Sequence, residues 1–424
     1  MKTHADFSET DVTNGDAVGA WRTESPRHEY APRFFTVTIG GEQLLGLAGR
    51  GLDAVNGRWV RAVPVVGGRH YAFSVQFLTQ GIETPLRSVL VQLVWMNAAG
   101  KPMSPDEDGE NLGHGEFPPT SAQADADGWF TISGVYQAPA QAVACRLALH
   151  LRWSAHGHVI WRKPELAETP PLPSRVVRLA TVNHRPRGTG SVAENLDQFA
   201  LCVEDAARQR ADIVCLPEGI TIVGTGKRLA DVSEPIPGRT TAFLGALAAR
   251  FHSYIVAGLY ERDGDVLYNT AVLVGRDGGL VGRYRKACLP MEEIEGGLTP
   301  GHDCPVFDTD FGRVGLMVCW DVSYPQVAAQ LAARGAEVLF LPIWGGSETL
   351  IRARAIENQV YLVASGYDAA SAIYDRTGDP LAQAQHDPQV VVADVDLSAR
   401  TRWFWIGDWR SRILRESPRL PAMP

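Results

Sequence analysis

From residue 58 to 161 apolar and polar positions alternate in short runs. Tyr71, Phe73, Val75 and Phe77 share one side of an extended chain, as do Val89, Val91, Leu93 and Trp95, and later Cys145, Leu147, Leu149, Leu151 and Trp153. A period of two marks a half-buried strand, because successive side chains point to opposite faces. Gly, Pro and Asp turns separate the runs and no helical pattern lies between them. The pattern predicts an all-β antiparallel sandwich or jelly roll of roughly 120 to 150 residues. Residues 102–128, rich in Asp, Glu, Gly and Pro, read as a long surface loop.

The texture changes after a proline-rich stretch at 164–174, Pro-Glu-Leu-Ala-Glu-Thr-Pro-Pro-Leu-Pro-Ser, which reads as a stiff linker. Beyond it the apolar runs 176–182, 213–216, 254–259, 271–274, 314–318, 338–341 and 360–364 read as buried strands, with helical patterns between several of them. Ser191-Val192-Ala193-Glu194 is a capping box, and Leu196, Phe199, Ala200, Val203 and Ala207 follow at helical spacing. A helix over 191–208 therefore leads into the strand at 213–216. The expected organisation is a polar N-terminal segment (1–40), a β-sandwich domain (41–163), the linker (164–174), an α/β domain (175–400) and a C-terminal tail (401–424).

Composition agrees with two globular units: the chain has 424 residues, 45% of them apolar and 21% charged. The net charge of -8 gives no electrostatic reason for a nucleic-acid partner. No basic flank precedes an apolar stretch at the N-terminus, and no run approaches the roughly 18 to 20 apolar residues of a membrane helix. A cytoplasmic protein without membrane contact is expected. The cysteines (Cys145, Cys202, Cys215, Cys288, Cys304, Cys319) are dispersed without a CxxC pair, so neither a metal site nor a disulfide framework is indicated, and no cofactor is expected.

Three segments of the second domain end a buried strand on a reactive side chain, the usual position of sites in α/β folds. Ile213-Val214-Cys215-Leu216-Pro217-Glu218 ends on a carboxylate that is either a base or a satisfied turn acid. Tyr284-Arg285-Lys286 ends on a cation that alone would read as solvated surface. Val314-Gly315-Leu316-Met317-Val318-Cys319-Trp320-Asp321 ends on a thiol that is either a nucleophile or core packing.

Glu, Lys and Cys in that order resemble the nitrilase superfamily of carbon–nitrogen hydrolases. The resemblance spans about residues 176 to 400 and includes Leu179-Ala180-Thr181-Val182-Asn183, Tyr268-Asn269-Thr270-Ala271-Val272-Leu273, Thr299-Pro300-Gly301 and Arg352-Ala353-Arg354-Ala355-Ile356-Glu357-Asn358. It implies a four-layer α-β-β-α sandwich behind the jelly roll, with Cys319 as nucleophile, Glu218 as base, and Lys286 plus the Trp320 backbone N–H holding the oxyanion. The implied reaction is hydrolysis of a small amide or N-carbamoyl substrate through a cysteine thioester. Nitrile hydrolysis and acyl transfer use the same triad, and a binding protein with a vestigial triad is the reading from another class. A second glutamate, positioning substrate or water, is expected among Glu292, Glu293 and Glu295; Glu295, beside Gly296 and nearest the Thr-Pro-Gly turn, is preferred, with Glu293 next.

Trp344 stands where relatives line the acyl pocket, and it equally suits a core position. Cys288 replaces a histidine common in relatives, a departure that bears on the local pocket. Arg352, Arg354 and Glu357 are spaced for ion pairs on a helix surface. The tail, with Trp403-Phe404-Trp405, Arg410, Arg412 and Arg415, is implied to pack across a neighbouring subunit of a homo-oligomer. The aromatics of the first domain, Trp59, Tyr71, Phe73, Trp95, Trp129 and Trp153, read as core in preference to a carbohydrate platform.

Overall fold

The computed structural model describes residues 9–103, 115–121, 123–403 and 407–416. The chain divides into two compact units, Met1–Pro173 with Arg402–Pro424, and Ser174–Thr401.

The first unit is built from two antiparallel sheets. One runs Glu9–Val12, Arg33–Ile39, Glu42–Ala48, His158–Thr169, His70–Gln80, Phe130–Gln137; the other runs Ala17–Val18, Trp21–Glu24, Asn56–Pro64, Ala144–Arg152, Val89–Met96. Alternate residues of both fill one core, including Trp59, Phe73, Trp95, Leu149 and Trp161. The buried Trp59 indole donates to the Gly46 carbonyl at 3.0 Å.

Several boundaries differ from the expectation. The chain before residue 41 is not a separate polar segment: Arg33–Ile39 forms a hairpin with Glu42–Ala48 and buries Phe34, Phe35 and Val37. Interleaved Thr36 and Thr38 lower its apparent hydrophobicity without breaking the alternation. The linker is shorter than 164–174, because His158–Thr169 continues along His70–Gln80 past a bulge between Arg162 and Glu165. Trp153 leaves the core pattern: the strand ends at Arg152, and Trp153, at φ 53°, is 48% exposed. In the loop at 102–128, Pro102 bridges to Met96, Glu116 to Leu93 and Thr120 to Ile132, while 104–114 and 122 lie outside the described residues. The described tail groups with this unit of its own chain, Arg402 pairing with Glu116 and Arg412 and Arg415 lying over Phe117. Phe404 and Trp405 lie outside the described residues.

In the second unit all seven apolar runs fall on strands. One sheet runs Leu280–Arg285, Val266–Val274, Tyr254–Asp263, Ile213–Cys215, Val176–Asn183, Gln389–Asp396; the other runs Val306–Asp308, Arg313–Leu316, Val338–Pro342, Tyr361–Ser365, Ala372–Tyr374, Pro380–Gln383. The three central strands of each are or include parallel pairs, which need cover on both faces. A shared core of Leu179, Ile213, Val256, Leu316, Leu339 and Val363 lies between the sheets. Helices Val192–Arg208 and Arg239–Phe251 cover the first sheet, and Pro325–Ala333 and Glu348–Asn358 cover the second. Helices thus flank the two sheets in a mixed α/β unit. Ser191 caps the first helix, and Glu194 reaches back to the Ser191 N–H. No helix among the described residues is long and apolar enough to cross a membrane.

Candidate active site

Glu218 follows the wholly buried strand Ile213–Cys215 and is itself 2% exposed. Its backbone lies against Gly258, where a Cβ would stand 2.7 Å from the Glu218 Cα, so only glycine admits this approach. The Tyr367 hydroxyl donates to the Glu218 carbonyl at 2.9 Å, and Asn195 Nδ2 pins the following turn through the carbonyls of Ile220 and Val223.

Lys286 ends the strand Leu280–Arg285 with its N–H on the Asn269 carbonyl at 2.8 Å and is 1% exposed. Its Nζ lies 3.1 Å from Glu218 Oε1 and 2.9 Å from Glu293 Oε1. Asn269 Nδ2 donates to the same two oxygens, at 2.7 Å each. An ammonium and an amide therefore bridge two carboxylates. Burial opposes the charge on Lys286, but Glu218 foremost, with Glu293, outweighs it, and the pKa is raised. Burial first, and then the charge of Glu218, raises the pKa of Glu293 against the pull of Lys286.

Cys319 opens the short 3-10 turn Cys319–Ser323 with φ at 42°, a left-handed conformation that costs a non-glycine residue about 1–3 kcal/mol. The buried Asp321 carboxylate braces it, accepting from the N–H groups of Val318 and Cys288 at 2.9 Å each and from the Tyr284 hydroxyl at 2.8 Å. Behind the turn, Arg354 Nε donates to the Val322 carbonyl at 3.0 Å. The thiol faces the Gly345 carbonyl at 3.7 Å and adjoins Glu218. Burial, with Glu218 adding to it, pushes its pKa up to about 12 despite Lys286. The thiol is thus held as S–H at neutral pH beside a carboxylate able to take the proton.

Residues 178–403 match the carbon-nitrogen hydrolase family. The chain belongs to that family. Among its relatives is the omega-amidase NIT2 of Bos taurus, 33% identical over 234 residues that cover 48% of this chain and 84% of the relative. A nitrilase of Pyrococcus abyssi (strain GE5 / Orsay) is 34% identical over 225 residues, 48% of this chain and 84% of the relative. The crystal structure of Saccharomyces cerevisiae Nit3, a member of branch 10 of the nitrilase superfamily, is 26% identical, covers 52% of this chain and 90% of its own, and aligns with a TM-score of 0.49.

In this carbon-nitrogen hydrolase the structure brings Glu218, Lys286 and Cys319 together, and of the three neighbouring glutamates it is Glu293, not the preferred Glu295, that joins them. Glu293 reaches the lysine, whereas Glu292 and Glu295 are exposed. The three share the helical turn Met291–Glu295, where each residue rotates by about 100°, so Glu293 and Glu295 point roughly 200° apart. Trp344 packs edge-on against Tyr367 with ring centroids 5.0 Å apart, next to the Gly345 carbonyl that faces the thiol. Trp320 is 42% exposed. Arg354, expected on a helix surface, is buried; it pairs with Glu357 at 2.7 Å while holding the turn that carries Cys319.

Sequence reasoning did not assign a role to Asn269, Tyr284, Asp321 or Tyr367. A signal existed for Asn269, a fully buried amide within the apolar strand Val266–Val274. Tyr367 follows the strand Tyr361–Ser365 in a loop without such a signal.

Proposed function

We propose that this chain hydrolyses the C–N bond of small linear amides through a thioester on Cys319. The observation that carries the reading is the position of Lys286 Nζ, buried between Glu218 Oε1 and Glu293 Oε1 with the Cys319 thiol alongside. Cys319 Sγ attacks the amide carbon while Glu218 takes the thiol proton. The oxyanion that forms is held by Lys286 and the backbone N–H of Trp320; one such donor is worth about 10²–10³-fold in rate. Collapse breaks the C–N bond, and Glu218 returns the proton to the departing amine or ammonia. Glu218 then deprotonates a water that attacks the thioester, giving the carboxylic acid and the free thiol.

Glu218 Oε2, Glu293 Oε2 and Asn269 Oδ1 are buried without a protein partner, which supports a role as acceptors for the substrate N–H groups or the hydrolytic water. Glu293 takes the positioning role, and Trp344 and Tyr367 form the wall of the acyl pocket. The first unit is read as a jelly-roll sandwich with a structural role. Its one exposed tryptophan among the aromatics named above, Trp153, carries the guanidinium groups of Arg152 and Arg87 at 4.1 and 5.4 Å from its ring centroid, which supports a structural over a sugar-stacking role.

Ammonia release from a panel of linear amides, N-carbamoyl amino acids and nitriles tests the proposal. Turnover of linear amides ahead of the other two classes is expected. Turnover of nitriles alone, or of none of the three, would overturn it.

A further inference from the structure

The outer face of the five-stranded sheet carries a cluster of cations that hydrolysis does not use. Register sets it: His150 pairs with Arg58 on one side and Leu90 on the other, and Arg146 pairs with Ala62 and Val94. Along Ala144–Arg152 the even residues Arg146, His150 and Arg152 therefore project together from one face, while Cys145, Leu147, Leu149 and Leu151 fill the core on the other. Arg415 joins them from the C-terminal segment. Its helix, Ile413–Glu416, packs on Pro85–Ser88, which in turn packs on Ala144–Arg152, and its guanidinium lies 4.7 Å from the Phe117 ring centroid.

His150 and Arg415 are 7% and 8% exposed. His150 Nε2, Arg146 Nε, and Arg415 Nε and Nη2 are buried with no hydrogen-bond partner among the described residues. The nearby carboxylates are engaged elsewhere, Glu24 with Arg58 at 2.9 Å and Glu416 with Arg412 at 2.8 Å. Burial, and then the charge of Arg152, lowers the Arg415 pKa to about 10; burial with Arg58, Arg152, Arg146 and Arg415 holds His150 well below its usual value. Buried guanidinium groups gathered on one face with unpaired N–H groups among the described residues are costly, and an oxyanion placed among them supplies acceptors to several N–H groups at once. Tetrahedral phosphate, with two charges and at least three acceptor oxygens, matches converging guanidinium forks better than a single planar carboxylate.

We infer that this face is a binding site for a phosphate-type oxyanion, free or as the phosphate group of a small molecule, held between Arg146 and Arg415 and securing the C-terminal segment to the sandwich. The test uses the full chain. Thermal unfolding and isothermal titration are followed with inorganic phosphate, with sodium chloride at matched ionic strength, and with succinate. A saturable rise in Tm and one site per chain are expected for phosphate, with succinate at least tenfold weaker. Arg146→Gln and Arg415→Gln should each weaken phosphate binding at least tenfold while amide hydrolysis stays unchanged. Arg146 is half-buried on its strand, so its variant remains informative if the Arg415 variant does not fold. Phosphate no better than chloride, succinate equal to phosphate, or wild-type affinity in the Arg146 variant would each overturn the inference.

Discussion

The Tyr284 hydroxyl donates to Asp321 Oδ2 at 2.8 Å, tying the strand that delivers Lys286 to the turn that delivers Cys319. The same carboxylate holds two backbone N–H groups, of Val318 and Cys288. Tyr284→Phe removes one of three donors and should cost about 0.5–1.5 kcal/mol of stability. Asp321→Ala leaves two backbone N–H groups and the Tyr284 O–H without their acceptor and should cost about 3 kcal/mol or more. Denaturant titration gives both numbers. kcat should fall further than stability alone explains, because the left-handed Cys319 is held by this brace.

Asn269 should matter as much as a residue that contacts substrate. Its amide keeps Glu218 and Glu293 on one ammonium. Asn269→Ala frees the carboxylates to repel and should lower kcat about tenfold or more. Asn269→Asp adds a third carboxylate to the site at nearly constant shape, and its loss should be larger. Steady-state kinetics on one amide would settle the order, and an Asp variant as active as wild type would contradict this role.

That Glu218, Lys286 and Cys319 belong together was legible only from the order and surroundings of their three motifs: Glu218 and Cys319 follow apolar runs that end at Leu216 and Val318, whereas Lys286 follows the mixed stretch Gly282-Arg283-Tyr284-Arg285 and alone reads as surface. The strand pattern and the Ser191 cap were legible for local reasons. Glu293 was not, since choosing among Glu292, Glu293 and Glu295 requires the rotation of a single helical turn, which adjacent acids in a sequence do not fix. The hairpin before residue 41 was hidden by Thr36 and Thr38, which interrupt its apolar run, and the far end of His158–Thr169 by Lys163 and Pro164 at a bulge. The Asp321 brace joins residues 37 apart in the chain, a relation that no local pattern carries.

With its pKa pushed up to about 12, Cys319 should be alkylated by iodoacetamide at a rate that climbs with pH and shows no plateau between about 7 and 10. Glu218 contributes to that upward shift, so Glu218→Gln should lower the thiol pKa and speed alkylation at fixed pH while abolishing amide turnover. Peptide mass spectrometry on the Cys319 segment separates this thiol from the others.

Glu293 sets a stability dependence on pH. Its pKa is raised in the folded chain, so folding favours the protonated form. The group weighs least against folding below its ordinary carboxyl pKa, and stability is lost as pH rises from there through the folded value. Glu293→Gln should flatten that fall, leave stability at pH 7 equal to or above wild type, and still lower kcat about 10²-fold. Thermal unfolding from pH 4 to 8 for both proteins gives the comparison.

The central claim is tested most directly by mass spectrometry, intact and after digestion, of the wild type and of Cys319→Ala quenched in acid while a linear amide is supplied. The account predicts an acyl adduct confined to Cys319 in the wild type, equal in mass to the substrate less its amine, with none in Cys319→Ala. Ammonia released steadily by Cys319→Ala, or an adduct on any other residue, would contradict it.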